Sequence, residues 1–371
     1  MATAPPRLQD PGNGYGGNRV TARAGGASGT LALGFVLIST ALFGLLATPL
    51  PAAAEAHTAY VVDRAGGQVI PLDLETRGFG EPIPVGGDPV GVAISPDGKR
   101  AYVTSWDEDN VWVIDTPTNG VITKIEGLSD DPAHVAIAPD GKTLYVSEFG
   151  TDTVAAIDAQ TNTVVDRYPA GPWPLMLAVS PDGRTVYSPN SNGASVSVID
   201  ATTGDSTMIT APEGPREVVL TPDGTFAYAV NWIHGSVSVI ETETNAIVKN
   251  ISVDQARPIT IAITPNGRTL YVGHWSNPGI ISVIDTQTDE VVKENPDDPF
   301  PVALAVAPDG RTVYAYCRAA GTIIPINTTT KRGRCPDHHR TARLGRSGRR
   351  TRNHPQPGAR RQAELTRAPP T

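Results

Sequence analysis

The sequence has little of what several protein classes require. Two cysteines among 371 residues exclude a disulfide framework. There is no His-x-x-x-His or paired-cysteine spacing for a metal, no Gly-x-Ser-x-Gly elbow and no phosphate-binding loop, so no motif names a nucleophile or a metal ligand. Aromatic residues make up only 6%, while 37 Gly and 34 Pro would interrupt helices of ordinary length. This composition favours many short strands joined by tight turns.

Charge is distributed unevenly along the chain. Residues 57–330 hold 15 Lys and Arg against 34 Asp and Glu, a balance of −19, whereas residues 331–371 have a balance of +10. Because protein affinity for nucleic acids is largely electrostatic, the acidic body disfavours nucleic-acid binding by the folded part.

Residues 1–56 have the features of a signal peptide. Arginines precede an uncharged apolar segment from Leu31 to Ala47, and Ala54-Glu55-Ala56 supplies a small-x-small cleavage pattern. We therefore expect cleavage near His57 and a secreted or cell-surface protein. The alternative is an uncleaved anchor, because the apolar segment approaches the length that spans a bilayer, and only then would the protein contact a membrane.

A repeat of about 42 residues occupies the region 57–330. The frame "ISPDGKRAYVTSW" (94–106) returns five more times, and Tyr60 adds a partial first unit in the same register. The glycines that close the turns lie 41 to 43 residues apart, at Gly98, Gly141, Gly183, Gly224, Gly267 and Gly310. Each unit reads as four short strands, of which the first two are joined by a Pro-Asp-Gly hairpin turn. Seven such units predict an all-β, seven-bladed β-propeller of four-stranded blades.

The phrases "PDGKTLYV", "VSVIDA" and "VSVIET" resemble the YVTN repeat of secreted and surface-layer-like β-propellers. The resemblance covers 57–330 and implies the propeller fold. It implies less about function, because related propellers serve as surface-layer modules, as binding proteins and, in more distant branches, as lactonases or lyases.

The sequence predicts that the first and last blades are incomplete. The first unit lacks its first strand, and the last unit stops after its third strand at "GTIIPINTTT" (321–330). Residues 331–371, with 11 Arg and no strand alternation, are either a disordered basic tail for an anionic partner or the product of a frame shift. If the chain is made as written, we expect exposed strand edges in the closing blade, and hence association.

Candidate site residues fall on the loops at one end of the predicted ring. The position eight residues after the turn glycine carries aromatic residues, and Trp173 joins them from a loop before a first strand; the set is Trp106, Phe149, Trp173, Trp232 and Trp275. One residue earlier in the frame are polar side chains, among them Asp63, Glu148 and His274, and His134, Arg216 and Glu217 belong to the same end. These patterns suggest a ligand or carbohydrate pocket on aromatic platforms, with no cofactor other than a possible divalent cation on Asp63, Glu148 and His274. The alternative is that the rings staple blades together and the polar residues only start loops.

Two functions follow from these features. The first is a non-catalytic binding or interaction scaffold, whose partner is an extracellular protein or a glycan or cell-wall ligand. The second is an exported propeller enzyme, a metal-assisted lyase or lactonase, for which His134, His234, His274 and Glu148 are the candidate catalytic residues. An enzyme needs several of these groups to converge at the channel mouth, whereas a scaffold does not.

Overall fold

The structure is a computed structural model that describes residues 36–37, 58–74, 76, 78–253, 257–294, 300–318, 321–330 and 332–333. At 36–37, 293–294 and 332–333 only the backbone is described. All regular elements in these ranges are strands, and none of the described residues forms a helix of the length and hydropathy needed to cross a bilayer.

Seven antiparallel four-stranded sheets form the blades, as the repeat predicts. Blades 1 and 2 contain β1 (Val36–Leu37), β2 (Thr58–Asp63), β3 (Gln68–Asp73), β4 (Ile83–Pro84), β5 (Pro89–Ile94), β6 (Arg100–Ser105), β7 (Asn110–Asp115) and β8 (Gly120–Ile125). Blades 3 and 4 contain β9 (Pro132–Ile137), β10 (Thr143–Glu148), β11 (Thr153–Asp158), β12 (Thr163–Pro169), β13 (Ala178–Val179), β14 (Thr185–Asn190), β15 (Ser195–Asp200) and β16 (Ser206–Thr210). Blades 5 and 6 contain β17 (Pro215–Leu220), β18 (Phe226–Asn231), β19 (Ser236–Glu241), β20 (Ala246–Ser252), β21 (Pro258–Ile263), β22 (Thr269–His274), β23 (Ile281–Asp285) and β24 (Val291–Glu294). Blade 7 contains β25 (Pro301–Val306), β26 (Thr312–Cys317), β27 (Thr322–Asn327) and β28 (Arg332–Gly333).

The hydrophobic core lies between the blades. Seven clusters of buried residues each combine side chains of two adjacent blades, including one between blades 7 and 1. Strand β1 lies beside both β25 and β5, so the innermost strands form a closed ring. A single blade has two apolar faces that only its neighbours can cover, which is why the ring and not the blade is the stable unit.

The hairpin turn between the first two strands has the geometry that its sequence predicts. In blade 2, Gly98 N donates to Ser95 O at 2.8 Å, and Lys99 N donates to the Asp97 carboxylate at 3.0 Å. Gly98 has a φ of 70°, a left-handed conformation in which a Cβ is disfavoured.

The repeated tyrosine of the second strand joins neighbouring blades. Tyr60 Oη of blade 1 donates to Asn119 Oδ1 of blade 2 at 2.8 Å, and Tyr187 Oη of blade 4 donates to Asn245 Oδ1 of blade 5 at 2.8 Å. The buried ring packs in the core while its hydroxyl reaches the turn of the next blade, so one residue type satisfies both needs.

The prediction of incomplete first and last blades is wrong, because both are four-stranded sheets. Strand β1 pairs Val36 with Val61 and Leu37 with Tyr60, and β28 pairs Arg332 with Asn327. Each added strand has two residues, too short for a strand pattern to be visible in the sequence. The rest of the predicted signal segment and of the basic tail lies outside the described residues.

Blade 4 departs from the repeat at its first strand. Pro189 of β14 has no N–H with which to pair the chain opposite, and the regular part of β13 shrinks to Ala178–Val179. The residues before β13 bond to blade 5 instead: Met176 N donates to Arg216 O at 3.1 Å, and Val218 N donates to Met176 O at 3.3 Å. These backbone bonds join the innermost strands of blades 4 and 5.

Candidate functional site

The loops after the second strands and the loops before the first strands meet at one end of the ring, which we call the upper face. A backbone hydrogen bond links the two loops in each of blades 2 to 7. In blade 2, Trp106 N donates to Asp88 O at 2.9 Å, and in blade 6, Trp275 N donates to Arg257 O at 2.9 Å. This arrangement is the one that the repeat register predicts.

Several upper-face residues have an unusual backbone conformation. The position before the proline that starts the first strand has a positive φ at Asp131 (59°), Trp173 (57°), Arg257 (50°) and Phe300 (60°). A left-handed backbone at a bulky residue is rare and costs about 1 kcal/mol or more. Such strain is concentrated at functional sites in proteins.

Three predicted aromatic residues form the first aromatic cluster, Trp106, Phe149 and Trp173, on blades 2 to 4. The ring centroids of Trp106 and Phe149 are 5.0 Å apart, and those of Phe149 and Trp173 are 5.2 Å apart and nearly parallel. Trp106 is buried against the apolar residues Val90, Ala133 and Leu175, whereas Phe149 and Trp173 remain partly exposed. The cluster therefore both joins blades and presents two rings to solvent.

Two further predicted residues form the second aromatic cluster with Phe300, on blades 5 to 7. The rings of Trp232 and Trp275 are 6.2 Å apart, and those of Trp275 and Phe300 are 5.3 Å apart. Three arginines cover these rings: Arg216 and Arg257 lie 5.2 and 5.6 Å from the Trp232 centroid, and Arg318 lies 5.0 Å from the Trp275 centroid. Cation–π contacts of this kind stabilise the cluster by about 0.5–1 kcal/mol each.

Carboxylates surround the first cluster. Its loops carry Asp107, Asp109, Asp130 and Asp131. Burial raises the pKa of Asp131 to about 6, and repulsion by Asp130, Asp109 and Asp107 adds to the rise. The upper face is thus acidic beside one cluster and cationic beside the other.

The three predicted metal ligands do not form one site. Asp63, Glu148 and His274 each end the second strand of a different blade, namely blades 1, 3 and 6. Asp63 accepts from Gly66 N and from Gln68 Nε2, Glu148 accepts from Ser129 N, Thr153 Oγ1 and Arg167 Nε, and His274 Nε2 is 2.8 Å from Ser282 Oγ. Across the described ranges, no group of three or more His, Cys, Asp and Glu is arranged to hold a metal ion. The residues at this repeat position bond within or next to their own blades.

The candidate catalytic residues fall in three blades, and only His134 and Glu148, on the neighbouring strands β9 and β10, share one. His234 is exposed on the loop of blade 5, with Nδ1 2.9 Å from Ser236 Oγ, whereas His134 is buried on β9 of blade 3. Glu148 and His274 lie in blades 3 and 6. The convergence that the enzyme hypothesis requires of these four residues is not seen.

Two buried ionisable groups lie on the innermost strands. Neither ring nitrogen of His134 has a hydrogen-bond partner in the described structure, and burial lowers the pKa of His134 to about 4. Burial raises the pKa of Glu217 to about 7, although Glu217 accepts from Ile261 N at 3.0 Å and lies near Arg216. Glu217 is therefore half-ionised near neutral pH, a property that suits a proton-transfer group.

Comparison with known proteins decides the family. The family model described as "Lactonase, 7-bladed beta-propeller" matches residues 92–212 and 205–352, more than half of the chain. The chain belongs to this lactonase family of seven-bladed propellers. No curated protein matches it. Among solved structures, hydrazine synthase of Kuenenia stuttgartiensis is 22% identical, with a TM-score of 0.70, over 83% of this chain and 99% of its own. At that identity the similarity shows the fold alone.

Sequence reasoning missed part of the site of this lactonase-family propeller. It did not single out Phe300, Arg257 or Arg318. The signal was present, because Trp173, Arg257 and Phe300 all directly precede the proline of a first strand. Arg318 takes the repeat position that Trp106 and Trp275 hold in other blades. Only the left-handed backbone and the ring distances show that these residues share one surface with the tryptophans.

Proposed function

We propose that this lactonase-family propeller is a non-catalytic binding module that uses its upper face. One observation carries the proposal: four partly exposed aromatic rings, those of Phe149, Trp173, Trp275 and Phe300, are gathered on one face of a closed ring. Aromatic side chains present large contact areas at a low entropic cost and are enriched in binding surfaces.

A further feature supports a binding role. The candidate catalytic residues fall in three blades, with His134 and Glu148 on neighbouring strands of blade 3, His234 in blade 5 and His274 in blade 6. A scaffold does not need these groups to converge.

The partner class follows from location and charge. The apolar segment at Leu31 to Ala47 supports export, and the YVTN-like repeat supports a surface role, so we propose a secreted or cell-surface protein. Its partner is an extracellular protein or a glycan or cell-wall ligand. The acidic body argues against a nucleic acid.

The test replaces one ring on each cluster. We expect Trp275→Ala or Phe149→Ala to weaken binding to an extracellular glycan or protein, found by array screening, by tenfold or more, because central aromatic residues dominate binding energy. Trp112→Phe, a change on β7 away from the upper face, is the matched control and should leave affinity unchanged. Equal affinity of all four proteins, with unaltered circular dichroism, would refute a role for the upper face.

A second candidate is lactone hydrolysis, favoured by the family match together with Glu217. In this scheme the Glu217 carboxylate takes a proton from water as that water attacks the lactone carbonyl. When the ring C–O bond then breaks, Glu217 returns the proton to the leaving ring oxygen, and a hydroxy acid results. Arg216, the preceding residue on β17, would stabilise the developing oxyanion.

Hydrolysis of glucono-δ-lactone tests this candidate. The rate should rise through pH 7 as Glu217 loses its proton, and Glu217→Gln should remove the acceleration while keeping the bond from Ile261 N. Glu213→Gln, on a loop of the same blade, is the control. A rate equal to that of buffer alone rejects the enzyme hypothesis for this class of lactone.

A further inference from the structure

We infer that the second aromatic cluster binds an acidic glycan, a polysaccharide segment that carries uronic-acid carboxylates. This inference rests on the proposed binding function and names its ligand class. The cluster consists of Trp232, Trp275 and Phe300 with Arg257 and Arg318.

The first step concerns the two outer arginines. Arg257 is exposed and Arg318 is partly exposed, and neither guanidinium forms an ion pair within the described residues. In contrast, Arg64 pairs with Asp88 and Arg167 pairs with Glu148. Among the residues that the structure describes, these two neighbouring cations of the upper face therefore have no carboxylate partner.

The second step concerns the N–H donors that the cation–π contacts leave available. Arg257 and Arg318 lie over the rings of Trp232 and Trp275 at 5.6 and 5.0 Å. A cation–π contact holds the guanidinium beside the ring through its charge and does not use its N–H donors on an acceptor oxygen. Carboxylates are the acceptors that this fork-shaped group matches best.

The third step concerns the opposite half of the face. Asp107, Asp109, Asp130 and Asp131 lie on the loops of the first cluster. Burial first, and then repulsion by the other three carboxylates, raises the pKa of Asp131. An anionic ligand is repelled there and attracted to the second cluster. A nucleic acid carries phosphates along its whole length. If it lay across the upper face, the aspartates would repel its phosphates while the arginines attracted them, which disfavours a nucleic acid as the ligand.

The fourth step separates a glycan from an acidic peptide. Trp275 and Phe300, the two partly exposed rings of the cluster, are tilted by 50° to each other, so they form adjoining walls and not one flat stack. Trp232 is buried, and its ring is tilted by 65° to that of Trp275. Sugar rings offer flat apolar faces to such walls and carry carboxylates at their edges. A string of aspartates or glutamates would use the arginines but leave the rings without a partner.

The experiment measures binding of the full chain to a hexameric oligogalacturonate by calorimetry. A neutral oligosaccharide of equal length and a polyglutamate peptide are the comparison ligands. We expect binding to the oligogalacturonate alone, at least a tenfold loss in the double variant R257Q/R318Q, and a weaker salt dependence in that variant. Arg184→Gln, an exposed arginine after the Pro-Asp-Gly turn at the other end of the ring, is the matched control and should bind as the parent does. Asp254, Asp297 and Asp298 lie outside the described residues and stay intact in every variant.

Each other outcome overturns the inference. If the neutral oligosaccharide binds equally well and R257Q/R318Q has no effect, the two arginines do not select the ligand. The proposed binding function survives that result if Trp275→Ala still weakens the binding. Binding of polyglutamate in place of the sugar assigns the surface to acidic peptides. Absence of binding to all three probes rejects an acidic glycan, and the array screen with Trp275→Ala then decides the proposed function separately.

Discussion

At the scale of single residues, Asp131 shows how the acidic part of the upper face affects stability. Its carboxyl has a pKa near 6 in the folded protein, above the ordinary value of 3.8, because of burial and three neighbouring aspartates. The native state therefore holds a proton that the unfolded chain has released between about pH 4 and pH 6. Over that interval the contribution of Asp131 to stability falls as pH rises, and above pH 6 its charge is a constant penalty.

We expect Asp131→Asn to stabilise the protein above pH 6 and to have little effect below pH 4. The pKa rise corresponds to about 3 kcal/mol, which solvent screening at this partly exposed site reduces to about 1 kcal/mol. Asn also tolerates the φ of 59° at this position. Urea unfolding at pH 4 and pH 7 measures the difference, and Asp205→Asn, an exposed change at the other end of blade 4, is the control. A stability gain that does not depend on pH would contradict the charge explanation.

Single residues also show where sequence reasoning about the location of side chains succeeds. Trp106, Phe149, Trp173, Trp232 and Trp275 lie on one face because their repeat positions place them on loops of the same end. The partition of those rings into two clusters was not predictable, since it depends on side-chain orientation within each loop. The hydrogen bonds of Asp63, Glu148 and His274 were not predictable either. These residues have the same spacing in the sequence whether they share one metal site or each form hydrogen bonds in a separate blade.

At the scale of elements, the hairpin turns carry an acid-sensitive contribution. The pKa of Asp182 is lowered first by the Ser180 hydroxyl and then by Arg184 N, which donate at 2.5 and 3.0 Å. Because the pKa of Asp182 is lower in the folded protein, its ionised carboxylate stabilises the native state above about pH 4, and this stabilisation is lost as pH falls further. In blade 6, Asn266 makes the corresponding bonds to Thr264 and Arg268 without any charge.

We therefore expect Asp182→Asn to cost less than about 1 kcal/mol at pH 7, since an amide oxygen still accepts both bonds, and we expect this cost to shrink as pH falls below about 4. Asn266→Asp is the reverse control, and its gain in stability at pH 7 should shrink over the same range. Chemical unfolding of both variants at pH 7 and pH 3 tests this. An equal cost of Asp182→Asn at the two pH values would show that shape and not charge holds the turn.

The elements also show which parts of the fold were predictable. Alternating apolar strands and Pro-Asp-Gly turns recur often enough to give the second and third strands of every blade. The short β13 was not predictable. Pro189 lacks the N–H that would pair with this strand, and the backbone at Met176 bonds to blade 5 instead. Strands β1 and β28 are too short to be recognised from a pattern.

At the scale of the whole molecule, the ring is closed by contacts and not by a continuous sheet. Strand β1 lies at the inner edge of blade 1, between β25 and β5, whereas β28 lies at the outer edge of blade 7. Strand β1 also falls within the apolar segment of the predicted signal, so cleavage near His57 would remove it. The mature protein would then have β2 as the innermost strand of blade 1, with its edge unpaired.

This asymmetry predicts the effect of trimming each end. A chain of residues 57–371 should melt at least about 4 °C below the full chain, a loss of about 1–2 kcal/mol, because the closure of the ring loses a strand with neighbours on two sides. A chain of residues 1–330 loses only an outer strand with one neighbour, and should melt within about 2 °C of the full chain. Thermal unfolding of the three proteins gives the comparison, and their sedimentation shows whether an open β2 edge makes the shorter chain associate. If residues 57–371 melt with the full chain and stay monomeric, β1 does not close the ring, and blade 1 is held by its packing against blades 7 and 2 alone.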